Sequence, residues 1–454
     1  MIAAERLADH AIGLDWAQVP EPARAAAATF LHDTLAVGAA GAGAAHADQV
    51  LAAARSWGQG RACGVLGRPG VRLPAPSAAF VNAFQIHGQE FDCVHEPAVL
   101  HPMATLSAAV MAEVERQARA IPGAEVLAAV VAGCDVSVAL GLAATSPLKF
   151  FRPATAGIFG ATAAAARLRG LDRARTADAL GYALAFASGT MQAHTEGKPA
   201  LPVQIANAAR GALMAVDLAE AGLPGPRGSI DGPFGYLPLF ETAFDLEPAL
   251  DALGRVFRIA EVSWKPFPTG RAAHGAIVAT QALAREHGVT PQTLVQLTYR
   301  APPLIKRLVG RPIAAELTPA YARLCFPYLG AVALTRGTVS LGDFGRESLS
   351  DPALLALGAR IAVEADDNPD PAAFTPARAV AHLSDGREVA VEVHAQFGSP
   401  AWRLTPAQHL EKARACLAFA GLEALHDPLA AAMAGFAAAP DARTAFALAS
   451  GDRP

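Results

Sequence analysis

Residues 87 to 102 read His87-Gly-Gln-Glu90-Phe-Asp92-Cys-Val-His95-Glu96-Pro97-Ala-Val-Leu-His101-Pro102. Three histidines, two glutamates and one aspartate fall within sixteen residues of a chain that is only 17% charged. Ionisable groups this dense in apolar surroundings are either solvated or paired around something. Imidazole titrates near neutral pH, and a carboxylate beside it favours its charged form. Such a group could take a proton from one substrate atom and return it to another. The alternative is a polar loop between helices whose histidines and acids pair with one another.

The elements around the cluster would position it. The apolar run Ala75 to Phe91 reads as a helix, which puts His87 and Glu90 on one face at i and i+3. Asp92 to His101 would be a loop broken by Pro97, and Pro102 would open the next helix at its first position. His101 would then stand at a helix N-terminus, where backbone N–H groups favour an anion. A basic residue precedes proline again at Arg152-Pro153, Lys198-Pro199 and Lys265-Pro266. Converging, these termini would make a pocket for a multiply charged anion such as a di- or tricarboxylate. His274, nine residues after Lys265, would face that pocket from a second module.

Helical periodicity covers 3–16, 21–37 and 45–57, then 103–118, 124–143, 154–169, 173–187, 203–221 and 236–244. The character changes near Arg255. Residues 255–263 read as a short strand, 271–287 and 319–335 as helices, and 293–301 as a strand. Ile361–Glu364, Ala377–Leu383 and Glu388–Val393 also read as strands, the last two joined at Ser384-Asp385-Gly386. Leu404-Thr405-Pro406 then supplies a cap and a first-turn proline for returning helix. The expected fold is mainly α in two domains. Residues 1–264 and 402–454 form an all-helical domain from both chain ends, and 265–401 form an inserted α/β domain.

With 454 residues and a net charge of −4, the chain shows no basic footprint for nucleic acid. Five scattered cysteines without CxxC spacing fit a reducing compartment. The N-terminal MIAAERLADHAIGL carries charges and lacks a signal-peptide core. No apolar run of about 18 residues is free of charges or turn signals. A cytoplasmic chain without a membrane span is expected. There is no GxGxxG after a strand, no phosphate loop, no HExxH and no GxSxG. Asp92, His95 and His101 could ligate a metal by residue type, although their spacing matches no standard metal signature.

The run Ala79-Phe-Val-Asn-Ala-Phe-Gln-Ile-His87-Gly-Gln-Glu90-Phe91-Asp92, followed by His101-Pro102, resembles the MmgE/PrpD family, with its His-x-x-Asp-Phe-Asp-Asp-Thr run and later His-Pro. Similarity continues through Arg152 to Gly160, Met191-Gln-Ala, Glu196-Gly197, Asn207 to Gly211, Lys265 to Pro268 with His274, Phe326-Pro327-Tyr328 and Leu404 to Pro406. The resemblance implies a helical domain with an α/β lid, a homodimer, no metal and no organic cofactor, with the active site between the domains. It implies chemistry on small polycarboxylates: dehydration of 2-methylcitrate, decarboxylation of cis-aconitate, or epimerisation of iminodisuccinate.

Carried across, Glu90 takes the place of the motif's first Asp. Asp92 matches its second acid, His101 the His-Pro histidine, and His274 the lid histidine. The chain departs from the family at Cys93 and Val94, at Arg152 in place of a histidine, and at Leu201 and Gln204, where many members have Lys and His. Lys198 is three residues upstream of that position. The expectation is a cofactor-independent lyase. His101 and His274 would be acid/base partners, tuned by Glu90 and Asp92. Arg152, Lys198, Lys265, His95 and Arg271 would bind substrate carboxylates. A polycarboxylate isomerase and a silent carboxylate-binding protein are the alternatives, with a metal-dependent hydrolase as a third.

Overall fold

The computed structural model describes residues 2–370 and 372–452. Long Ala- and Leu-rich segments form helices because such residues lose little rotamer freedom there, and their apolar faces bury against one another. The main helices before residue 264 are Ala3–Gly13, Glu21–Ala40, Ala47–Ser56, Ala75–Gly88, Pro102–Arg116, Gly123–Ala143, Gly157–Arg169, Arg173–Phe186 and Ala200–Glu220. Proline occupies the first turn of several, including Glu21–Ala40 and Pro102–Arg116. Their apolar residues form one continuous core, which also takes in Leu417 to Ala449 from the far end of the chain.

Small residues set the spacing inside this core. A Cβ on Gly160 would sit 2.2 Å from the Gly133 carbonyl oxygen, so helices Gly123–Ala143 and Gly157–Arg169 touch backbone to backbone. Gly160→Val is expected to lower stability by roughly 1–3 kcal/mol through overpacking. A thermal melt indistinguishable from wild type would contradict this contact.

Helix Gly123–Ala143 is long and apolar enough to cross a membrane by length and composition, yet it is almost entirely buried inside the protein. Its Asp135 accepts from the Arg258 backbone N–H at 2.7 Å and lies 3.0 Å from His10 Nε2. That bond also explains a departure from expectation. Residues Arg258–Glu261 form a 3₁₀ turn pinned to Asp135, not the expected strand.

A second core gathers apolar side chains between Phe267 and Val393. Its sheet has the order Ile361–Ala365, Leu294–Ala301, Ala377–Leu383, Glu388–Val393. The first pair is parallel and the other two are antiparallel. Helices His274–His287 and Phe326–Arg336 pack against it. The expected 319–335 helix is broken into Pro319–Ala322 and Phe326–Arg336. At the break, buried Arg323 reaches across to the carbonyl oxygens of Gln89 and Pro268, each at 2.7 Å. Helix Pro303–Val309 lies outside the expected elements, and Pro303 opens it.

Helix Pro406–Phe419 returns to the first module. A capping box opens it: Thr405 Oγ1 accepts from the Gln408 N–H, and the Gln408 side chain accepts from the Thr405 N–H. The helix packs along Glu21–Ala40. Its Lys412 Nζ meets Asp33 at 2.8 Å and donates to the Phe91 carbonyl at 2.9 Å. A small apolar cluster of Ala36, Val37, Ala40, Phe91, Leu341, Ala413 and Cys416 fills the space around it.

Candidate active site

The loop between helices Ala75–Gly88 and Pro102–Arg116 builds the site. Glu90, two residues beyond the first helix, has φ +50° and turns the chain back. Residues His95 and Leu100 then pair as a short antiparallel bridge around Val99, which sits at φ +48°. Both are non-glycine residues in the left-handed region; for β-branched Val99 that conformation is strained. The turn brings His101, the N-cap of the second helix, back beside His87 near the end of the first. Their rings meet edge to face with centroids 4.8 Å apart.

Buried Asp92 lies between the two histidines. It is 3.1 Å from His87 Nδ1 and 3.0 Å from His101 Nδ1. An ionised carboxylate only accepts hydrogen bonds, so both Nδ1 atoms carry protons and both Nε2 atoms are left for other partners. His87 Nε2 is buried without a hydrogen bond, 3.6 Å from a Glu90 oxygen. Burial opposes charge on Asp92, but the two imidazoles hold its pKa well below the usual carboxylate range.

Burial also opposes charge on both histidines, yet they diverge. Asp92 and Glu90 together raise His87 above the ordinary imidazole value. For His101 burial prevails over Asp92, helped by Lys265 and His87, and its pKa falls. His87 therefore takes a proton before His101 does, which gives one carboxylate an acidic and a basic imidazole. Glu90 stays ionised with a pKa of about 2: burial works against it, but Lys265 and His87 outweigh burial. Lys265 is fully buried and donates to Glu90 Oε2 at 2.8 Å and to its carbonyl at 3.2 Å.

A cavity of about 70 Å³ lies against this group, between the two cores. His87, Glu90 and His101 line it from the helical side, and Gly270, Arg271 and Ala272 from the α/β side. His194 is also on its wall. Burial and the nearby Arg311 lower its pKa to about 4, so it is neutral at pH 7.

The expected residues are only partly brought together. Glu90, Asp92 and His101 form the centre with Lys265, and Arg271 is on the wall. Arg271 is committed to Glu96 at 2.6 Å and to the carbonyls of Trp264 and Phe397. His274 does not reach the cavity. It is fully buried behind Arg271, whose Nη1 donates to its Nδ1 at 3.2 Å. Burial, Arg271 and Lys265 push its pKa far down. The histidine that shares Asp92 with His101 is His87. Arg152 is also turned away: its guanidinium forks onto Glu241 at 3.0 and 3.1 Å beside a neighbouring hollow. His95 is taken by Glu261 at 3.1 Å, so the trio with ligand-capable atoms within 4.8 Å is His87, Asp92 and His101. Lys198 is exposed on a second, larger chamber. No helix starts at Lys265-Pro266; the convergence expected of four helix starts is not observed there.

His87 was singled out in the sequence only for its helix face. The available signal was its place three residues before Glu90 and five before Asp92, at a helix end where the chain reverses.

Two imidazoles thus share one buried carboxylate beside a small cavity lined by both the helical and the α/β module. Residues 5–249 match the MmgE/PrpD N-terminal domain and residues 267–426 the MmgE/PrpD C-terminal domain. The chain belongs to the MmgE/PrpD family. It is 29% identical over 358 residues to cis-aconitate decarboxylase of Mus musculus, covering 74% of this chain and 70% of that protein. It is 29% identical over 321 residues to cis-aconitate decarboxylase of Homo sapiens, covering 66% and 63%.

Proposed function

We propose that this chain is a lyase of the dehydratase or decarboxylase type. It acts on a small polycarboxylate by proton transfer at the carbon α to a carboxylate, without metal or organic cofactor. The observation that carries this reading is the Asp92 carboxylate shared by His87 Nδ1 and His101 Nδ1 beside the cavity. The relatives named cis-aconitate decarboxylase support the reaction class.

In a dehydration, neutral His101 takes the α-proton on Nε2, and the released electron pair forms the C=C bond. The β-hydroxyl leaves with the proton of charged His87 as water. In a decarboxylation, CO2 departs and leaves its bonding pair on carbon, where His87 delivers the proton. Glu90 and Asp92 favour that charge on His87.

Proton NMR in D2O with cis-aconitate, 2-methylcitrate, citrate and iminodisuccinate tests the reading. A new vinylic signal or loss of an α-proton signal is expected. Epimerisation without loss of CO2 or water would move the assignment to an isomerase, and binding without any change to a carboxylate-binding protein. The dependence of kcat/KM on pH should be bell-shaped. Activity is lost on the acid side as His101 is protonated, with a pKa below 6.5, and on the basic side as His87 is deprotonated, with a pKa above 6.5. A profile with a single limb would remove one of the two roles.

The His87, Asp92 and His101 trio also invites a metal reading, because three ligand-capable atoms converge there. Turnover that survives exhaustive chelation is expected; turnover restored only by added metal would establish the metal reading instead.

A further inference from the structure

Three successive carbonyls lead into Asp92, and each accepts from a buried cation. Arg323 Nη1 donates to Gln89 at 2.7 Å, Lys265 Nζ to Glu90 at 3.2 Å and Lys412 Nζ to Phe91 at 2.9 Å. The donors come from three separate parts of the chain: the break before helix Phe326–Arg336, the segment entering the α/β module, and the returning helix Pro406–Phe419. A helix C-terminus leaves its last carbonyls unpaired and favours positive charge nearby. The chain reverses at Glu90 instead of continuing the helix, so these carbonyls too need partners from outside.

Lys412 differs from the other two in what it holds. The Phe91 carbonyl belongs to the peptide group that enters Asp92. That group is planar, so a donor on its oxygen fixes the plane from which the Asp92 Cα departs. Among the described residues no other hydrogen bond holds the backbone of Phe91, Asp92 or Cys93; the next donor along the chain is the Val94 N–H, which reaches the Ser263 carbonyl at 3.0 Å. The Lys412 ammonium also lies 4.2 Å from the centre of the Phe91 ring and 2.8 Å from Asp33, so one cation grips both the ring and the carbonyl of Phe91. Neither Phe91 nor Lys412 lines the cavity beside the two imidazoles. Both line a separate hollow of about 580 Å³ that shares no residue with it. Lys412 therefore reaches the centre only through the backbone.

We propose, on the proton-transfer reading above, that Lys412 is a positioning residue for the acid/base centre. It fixes the Phe91–Asp92 peptide so that Asp92 meets His87 and His101 together, at 3.1 and 3.0 Å, and it touches no substrate. A displacement of the carboxylate by about 1 Å would break at least one of those contacts, and misplacement on that scale costs about 10²-fold in rate.

The test separates the bond to Phe91 from the ion pair with Asp33. Lys412→Met alone would strand a buried carboxylate, so it is combined with Asp33→Asn. A second double variant combines Asp33→Asn with Lys412→Gln, whose amide still donates. Both lose the ion pair and should melt alike. Asp33→Asn/Lys412→Met should lose about 10²-fold in kcat with KM within about threefold, whereas Asp33→Asn/Lys412→Gln should keep kcat within about fivefold. Nitrogen NMR of the histidine-labelled full chain reads the ring protons without any substrate, with His87→Gln and His101→Gln for assignment. Wild type and the Gln variant should show Nδ1 protonated on both rings, and the Met variant should lose that pattern on at least one. Equal kcat in the two double variants, or the wild-type ring pattern in the Met variant, would overturn the inference. Unfolding of either double variant would make the pair structural and overturn it as well. Loss of the ring pattern in the Met variant, with no turnover of any polycarboxylate by wild type, keeps the positioning role and removes the proton-transfer reading. Turnover by wild type with no difference between the double variants does the reverse.

Discussion

Asp92→Asn lowers kcat/KM by about 10³–10⁴-fold while the protein remains folded. One Asp92 oxygen meets both His87 Nδ1 and His101 Nδ1 and the other lies 3.2 Å from His87 Nδ1, so an asparagine sets its NH2 group against at least one protonated Nδ1. One imidazole must face a donor, switch tautomer and present a protonated Nε2 to the cavity. The paired acid and base are lost together, and general acid–base catalysis contributes 10²–10⁴-fold for each proton transferred. Loss of the negative charge also lowers His87, because Asp92 is the main influence opposing its burial. The basic limb of the residual pH profile should therefore move to lower pH. Steady-state kinetics across pH 5–9, with circular dichroism to check folding, measures both effects. Activity within threefold of wild type would show that Asp92 is only a structural acid.

His101→Ala is expected to cut turnover by roughly 10²–10⁴-fold with little change in stability, since its side chain is on the cavity wall and retains 14% exposure. The instructive comparison is His274→Ala. His274 is fully buried and bonded to Arg271, so its removal leaves a cavity and a guanidinium short of one acceptor. That variant should melt earlier, with its folded fraction keeping turnover within about tenfold. Imidazole added to the buffer should partly restore His101→Ala and leave His274→Ala unchanged. Equal losses of turnover in the two variants would return His274 to the chemistry and place His87 outside it.

Much of this architecture is legible along the chain because its causes are local. Prolines in the first turn, Gly170 after Arg169 and the Thr405–Gln408 box fix helix ends within a few residues. The alternation in Ala377–Leu383 and the Ser384-Asp385-Gly386 turn likewise fix a hairpin. His101 follows from Pro102, because a proline at the first helical position puts the preceding residue at the cap. What sequence could not supply is the partner across long separation. Arg152 looked free until Glu241, 89 residues away, claimed it. Arg271 and Glu96 are 175 residues apart, and Arg258 reaches Asp135 over 123. A titratable residue is available to a substrate only if no distant partner satisfies it first, and local pattern does not record that. His87 received a helix face but no role for a related reason. A histidine at the end of an apolar helix reads as core until the reversal at Glu90 folds Asp92 back onto it.

The return of helix Pro406–Phe419 has a consequence for the order in which the protein is made. Asp33 and the Phe91 carbonyl both wait for Lys412, a residue synthesised more than three hundred positions after either. Domains tend to acquire structure from the N-terminus as they leave the ribosome. Here the helical module is emitted with a slot along Glu21–Ala40, and within it Asp33 lacks its counter-ion, a costly state for a buried carboxylate. The α/β module must emerge before the missing helix can arrive. The Phe91 strut, one residue from both Glu90 and Asp92, is set only after that. A chain stopped near residue 400 would leave the ribosome with every acid and base of the centre already made and the loop that carries them unfastened. Lys412 acts as the latch on chemistry encoded 321 residues before it, at Phe91 and its two acidic neighbours.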